Sequence, residues 1–402
     1  MPKNYSALIS PQAIFSIGLI QSLFIYIHWS LNDKNPHYEY EITFRPLIII
    51  ITSYLFFFAG CSLFTTKHRS PSRIHPFIMS KKWMWLLVIS WVFIFASTMD
   101  VYGGLALYRL YTGDLSVKEI NDLQATGFPG QFGILLVLNT LCMISCAALI
   151  ISKSFKRKGL YTSIFFLISI LGSLSAGKRQ GIFILLSIVS IAYIAKMNSE
   201  SKKVPKSLII TLAIAVGSLL ATFALIGQMR DSDTGIINYM EYPLINFEWQ
   251  IENFKFMGGG NIFPMIAGFF PYKMLINEET IAGLGEGENP VTQIIFGFVY
   301  PEPGIGAGFY GALHLGVGFI GCIVFALILG ACIGRLYQKS HNNIHSLMLY
   351  CICAWPLASS LSYNLFLVAG FFLVPTVASI AYLKRAIIPI NPIDWQAKNK
   401  IQ

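Results

Sequence analysis

Charge is what this sequence has least of. Only 12% of its 402 residues are Asp, Glu, Lys or Arg, against about 25% in an ordinary soluble domain. With 55% apolar residues and 31 phenylalanines, a soluble chain of two or three domains is excluded, because so apolar a surface could not be solvated. No long polar loop carries a cysteine and no two cysteines stand in CxxC spacing, so neither a disulfide framework nor a zinc site is expected. The seven thiols (Cys61, Cys142, Cys146, Cys322, Cys332, Cys351 and Cys353) all fall inside apolar runs and read as small core residues. A GxxxxGK[ST] loop is missing as well, which argues against an ATP-driven pump. The ten-residue alternation of an outer-membrane barrel is also absent.

What the chain does have is apolar runs of 18 or more residues, each able to cross a hydrocarbon core of about 30 Å. They predict an all-α fold, a polytopic transmembrane bundle of about ten spans forming one integral membrane domain over 1–402. Spans are expected near 11–29, 46–64, 83–99, 131–152, 159–176, 181–197, 207–227, 312–334, 346–362 and 365–383. Residues 346–383 make one stretch of 38. As a single helix it would run about 57 Å, nearly twice a bilayer core, so it must fold back, at the polar turn Ser359–Asn364. Residues 159–197 are likewise too long for one span and break at Gly177-Lys178-Arg179-Gln180-Gly181. The first run ends at His28-Trp29 without a small-residue cleavage site and is read as a retained span.

Ten spans put both termini on the same side. Segments 1–10, 65–82, 153–158, 196–206, 335–345 and 384–402 then hold 20 of the 29 Lys and Arg and only two acids, Glu200 and Asp394. The other side holds nine bases and 17 acids. This asymmetry makes the first side cytoplasmic, with N-in and C-in termini. The net charge of +10 is therefore a topology signal that meets anionic lipid head groups. A nucleic-acid partner is not implied.

Inside loops are short and basic. Outside, two are long: 100–130 and the larger 228–311, with ten acids, three bases, several aromatics and many Gly and Pro. Loops of this length are functional or disordered as a rule. The apolar pieces Ile262–Phe270 and Ile294–Val299 predict that the larger one packs on the outer membrane surface, so function is expected on the outer face.

Residues that break the pattern are the site candidates. Lys178 and Arg179 are adjacent cations in a very short outside turn. Snorkelling to lipid phosphates is one reading of them. An anion site is the other, since an Arg fork and the free N–H groups from Gln180 onward both suit a diphosphate. Arg230, after Gly227-Gln228-Met229, either pairs with Asp231 and Asp233 at a helix end or supplies a second contact to the same diphosphate. Asp231-Ser232-Asp233 could hold a divalent metal, but a lone D-x-D is a weak signal, and neither metal nor cofactor is expected. The literal G-x-G-x-x-G at 316–321 lacks the βαβ context of a dinucleotide site and reads as close helix packing. His314 is either a satisfied structural residue or a general base. The other base candidates are loop carboxylates: Glu241, Glu248, Glu252, Glu286, Glu288 and Glu302. Trp249, Phe254, Phe256, Phe269, Phe270, Tyr272 and Tyr300 give the loop sugar-stacking capacity, although interfacial anchoring explains them equally well.

The combined pattern resembles the Wzy family of bacterial O-antigen (oligosaccharide repeat-unit) polymerases. The resemblance rests on Ser173-Leu174-Ser175-Ala176-Gly177-Lys178-Arg179 between two mid-chain spans and on Met229-Arg230 before the largest outside loop. The Gly-rich start of the next span, Phe309-Tyr310-Gly311 to Gly321, also fits. The chain departs from the family at Ala312 and Gly316, near which members often carry an acid, and related ligases often have His-Asn where this chain has His314-Leu315. The resemblance implies a GT-C-like membrane glycosyltransferase that joins undecaprenyl-diphosphate-linked repeat units at the periplasmic face of the inner membrane. Lys178, Arg179 and Arg230 would then hold the diphosphate. His314, Glu248 or Glu302 would take the acceptor proton, and a chain-length regulator is a candidate partner. Three rivals stand beside it. A flippase predicts mid-span ionisable residues and an internal repeat, and neither is present. A ligase moving finished polymer to lipid A core shares the same chemistry. A membrane acyltransferase wants a His–carboxylate pair near a span end, and His314 has no acidic neighbour in sequence.

Overall fold

The computed structural model describes residues 9–31, 43–64, 74–104, 131–153, 157–175, 180–200, 308–360 and 372–390, with shorter pieces at 7, 108–109, 112, 114, 243–245, 247–248 and 251. These form helices α1 (Pro11–Leu31), α2 (Arg45–Ser62), α3 (Lys81–Tyr102), α4 (Gln131–Ile151), α5 (Lys158–Ser175), α6 (Gln180–Ser199), α7 (Gly308–Ser340), α8 (Ile344–Ala358) and α9 (Leu373–Ala386). Strands β1 (Phe77–Met79) and β2 (Ile387–Pro389) pair antiparallel, with Ile78 opposite Ile388. The helices start and stop where local chemistry dictates. Pro46 opens α2, where a missing N–H costs nothing. The side chain of Asn343 accepts from His345 N and Ser346 N at the start of α8. Gly103 ends α3 with a φ of 63°, a left-handed conformation glycine adopts without penalty. Arg109 Nη1 donates to the carbonyl of Tyr102 at 2.6 Å and satisfies one of the acceptors left at that helix end.

Among the described residues, six helical segments are long and apolar enough to cross a membrane: Pro11–Ser30, Arg45–Ser62, Lys81–Tyr102, Gly133–Ile151, Gly181–Ser199 and Gly318–Ser340. Two shorter apolar helices, Lys158–Ser173 and Ile344–Ala358, stand beside them. The chain is a polytopic helical membrane protein. The expected span 207–227 lies outside the described residues, as do the loop residues 115–130 and 361–371. The break expected at 177–181 is borne out: α5 ends at Ser175, α6 begins at Gln180, and Gly181 packs directly on Ser173. Six of the seven cysteines are buried, but Cys332 is exposed on α7 and is not a core residue. Its short side chain lies on the outward face of a membrane-length helix, where apolar exposure carries no penalty.

The closest helix pair is α2 with α7. A Cβ on Gly330 would collide with the backbone of Phe57, one on Gly60 with the backbone of Leu327 and Ala331, and one on Gly334 with Cys61 Cα at 2.8 Å. These glycines let the two backbones touch, which is how helices gain van der Waals contact without a hydrophobic drive between them. The pairings rise together (57 with 330, 61 with 334), so α2 and α7 run parallel.

The span expected over 312–334 is displaced. The membrane-length part of α7 is Gly318–Ser340, and at Gly318 the backbone leaves the helix with φ 68° and ψ −171°. Twelve residues of straight helix would separate Tyr310 from Cys322 by about 18 Å, yet Cys322 Sγ lies 3.8 Å from the Tyr310 carbonyl. Residues 308–317 therefore fold back along the rest of α7 as a short re-entrant arm. Tyr310, expected in an outer loop, sits fully buried with its ring centroid 6.4 Å from that of Phe15, which itself stacks on Phe57 at 4.1 Å.

The opposite end of the bundle is tied by backbone hydrogen bonds. Lys153 N donates to Phe77 O at 3.0 Å, Ser80 N to Ala386 O at 2.8 Å, and Ile390 N to Pro76 O at 3.0 Å. The described parts of three segments rich in Lys and Arg, 74–82, 153 and 384–390, meet there. The Arg385 guanidinium lies 5.4 Å over the Trp83 ring.

Candidate active site

α1 and α2 bring Tyr26 and Thr43 together. Tyr26 Oη donates to the Thr43 carbonyl at 2.9 Å, and the Tyr26 ring stacks on Phe44 at 5.8 Å and meets Trp29 edge-on at 5.4 Å. Into this aromatic collar comes a residue 205 positions further along. Thr43 Oγ1 donates a hydrogen bond to Glu248 Oε1. Glu248 is 2% exposed, the only carboxylate that deeply buried among the described residues. Burying a carboxylate is expensive without compensating donors, so its location is a choice of the fold rather than a solvated surface acid.

The neighbouring residue makes the second connection. Phe247, fully buried, lies with its ring centroid 6.5 Å from that of Tyr310 and 6.0 Å, edge-on, from the imidazole of His314. His314 is partly buried on the re-entrant arm, and its Nδ1 has no hydrogen-bond partner among the described residues. Of the base candidates named from sequence, Glu248 and His314 are described and are linked through Phe247, the chain neighbour of Glu248, while Glu241, Glu252, Glu286 and Glu288 lie outside the described residues. Glu302 lies outside the described residues, as do Lys178, Arg179, Arg230, Asp231 and Asp233. The helix ends on either side of the undescribed residues 176–179 are in contact. Ser173 touches Gly181, and Asn139 Nδ2 donates to Ser173 Oγ at 3.3 Å. No cluster of three metal-ligating side chains occurs among the described residues.

Two residues of this site had no mark in the sequence. Thr43 and Tyr26 are an ordinary threonine before a span and an ordinary tyrosine within one; only the fold reveals that Thr43 donates to Glu248 and that Tyr26 holds the Thr43 carbonyl. A buried carboxylate that receives a hydroxyl hydrogen beside an aromatic collar is an arrangement able to accept a proton.

Helices of membrane length packed into one bundle define a polytopic helical membrane protein. The chain belongs to the family described as O-antigen polysaccharide polymerase Wzy, whose model matches residues 3–282. That stretch includes Thr43, Lys178, Arg179, Arg230 and Glu248, while Glu302 and His314 lie beyond it. No curated protein and no solved structure matches the chain. Membership places the chain among polymerases of O-antigen polysaccharide, in agreement with the resemblance in its motifs.

Proposed function

We propose that the chain is a glycosyltransferase that polymerises undecaprenyl-diphosphate-linked oligosaccharide repeat units into O-antigen at the periplasmic face of the inner membrane. The observation that carries this reading is the family match over residues 3–282. The charge asymmetry of the loops supports the orientation, because it puts the Thr43 end of the bundle outside. The bundle is GT-C-like in this reading and uses neither metal nor cofactor. A chain-length regulator is the expected protein partner.

The growing chain on its carrier lipid is the donor, and a sugar hydroxyl of a new lipid-linked unit is the acceptor. The acceptor oxygen bonds to the anomeric carbon while the carbon–oxygen bond to the diphosphate breaks. The departing carrier diphosphate keeps the electron pair, and Glu248 takes the acceptor proton. Lys178, Arg179 and Arg230 stabilise the charge that develops on the diphosphate, with the lipid tail lying between helices. Glu302 and His314 are the alternative proton acceptors.

A gel of surface lipopolysaccharide from a strain lacking this gene tests the reading. The expected pattern is core bearing one repeat unit, restored to a ladder when the gene is returned. Long polymer accumulating on the carrier lipid would instead mean a ligase, and absence of any extracytoplasmic repeat a flippase. An unchanged ladder would overturn the assignment.

A further inference from the structure

We infer that Thr43 is a positioning residue for the proposed reaction: its hydroxyl fixes the orientation of the Glu248 carboxylate that takes the acceptor proton. This inference rests on the reading of Glu248 as the base. Three observations carry it.

The first is the direction of the hydrogen bond. A threonine hydroxyl has one hydrogen to give and lone pairs to accept with. Arg45 N–H donates to Thr43 Oγ1 at 3.3 Å, which occupies a lone pair and leaves the hydroxyl hydrogen for Glu248 Oε1. An ionised carboxylate only accepts, so the pair has a single arrangement.

The second is that Thr43 is held at its other end. Tyr26 Oη donates to its carbonyl at 2.9 Å, while the following residues enter α2. Backbone and side chain are thus both referenced to helices.

The third is what lies behind Thr43. α2 packs backbone to backbone on α7 at Gly60, Gly330 and Gly334. Glu248 belongs to the long segment 228–311, and a carboxylate supported only by its own loop would be a poorly aimed base. The Thr43 bond ties it to the scaffold instead. Helix capping alone does not account for this arrangement, since a cap uses the oxygen as acceptor and has no use for the hydroxyl hydrogen.

The test uses the purified full-length protein in lipid nanodiscs, with the lipid-diphosphate-linked repeat unit extracted from the strain lacking this gene as substrate. Rates are taken per folded protein, judged by gel filtration and thermal melting. Thr43→Val and Thr43→Ala are expected to lower kcat about 10- to 100-fold, the loss of one charge-assisted hydrogen bond, and to leave KM within about 2-fold. Thr43→Ser keeps the hydroxyl and is expected to stay within about 3-fold of the unsubstituted kcat. Should Thr43→Val not fold, the contrast between Ala and Ser decides. Unchanged kcat in both hydroxyl-free variants overturns the inference, and so does Ser falling as far as Ala. Glu248→Gln separates this failure from the failure of the underlying reading. If Glu248→Gln is inactive while Thr43→Val is normal, only the role of Thr43 is lost. If Glu248→Gln is fully active, both are lost.

Discussion

The ring of Phe247 meets the imidazole of His314 edge-on at 6.0 Å between centroids. One residue of chain therefore separates Glu248 from contact with the re-entrant arm of α7, and the two acid–base candidates belong to one packed unit. They are not equivalent within it. Glu248 is buried and receives the Thr43 hydroxyl hydrogen, whereas His314 packs against a ring. Glu248→Gln is expected to lower polymerisation by about 100-fold or more, the usual contribution of a general base, and to leave core bearing a single repeat on a gel. His314→Gln, at the same protein level, is expected to retain a ladder, shortened by disturbed packing. A full ladder from Glu248→Gln together with none from His314→Gln would reverse the two roles.

The diphosphate reading makes its own prediction. A cation that stabilises a leaving group acts mainly in the transition state, so its removal lowers kcat more than it weakens substrate binding. Arg179→Ala and Arg230→Ala are each expected to lower the rate about 100- to 1,000-fold. Arg→Lys at either place should recover part of it, since Lys offers the charge without the bidentate fork. Full polymer length in both alanine variants, at normal protein level, would remove charge stabilisation by these residues from the mechanism.

Much of the bundle was legible because a hydrocarbon solvent leaves the chain few options. Apolar runs of membrane length must be helices, and the break after Ser175 follows from the arithmetic of a run too long for one crossing. The displaced start of α7 was not legible. Residues 308–317 are as apolar and small as a span, and only the backbone at Gly318 shows that the chain turns back there. The site was half legible for a related reason. Ionisable residues are few enough in this sequence to name His314 and the loop carboxylates as candidates, but nothing in it ranks Glu248 above the other five acids. Thr43 and Tyr26 do not stand out, because their meaning comes from a contact spanning 205 positions, and no local pattern encodes such a pairing.

The bend at Gly318 can be tested directly. Its φ of 68° with ψ of −171° falls in a region that is essentially glycine's alone, costing other residues about 1–3 kcal/mol. Gly318→Ala is expected to favour a straighter helix, which would withdraw Tyr310 and His314 from Phe247. The measurable outcome is a lower melting temperature together with a shortened or missing ladder. A variant with normal melting and a normal ladder would show that the re-entrant arm is not needed for the site.

The contact between α2 and α7 yields the sharpest contrast in stability. A Cβ at Gly330 meets the backbone of Phe57, not the end of a flexible side chain, so nothing can give way except the helices themselves. Gly330→Ala is expected to push α2 and α7 apart and destabilise the protein by about 1–3 kcal/mol, the range for overpacked cores. Gly133, near the start of α4, has nothing within 4 Å of the same added atom among the described residues. There the substitution only removes chain entropy from a helix position, and Gly133→Ala should be neutral or stabilising by about 0.5–1 kcal/mol. Thermal melting of the two variants in detergent compares them under one condition. Because α2 also carries Thr43, Gly330→Ala should lower polymerisation at temperatures where the protein is still folded, while Gly133→Ala should not. Equal melting temperatures for the two would mean that the glycine contact does not hold the scaffold behind Glu248.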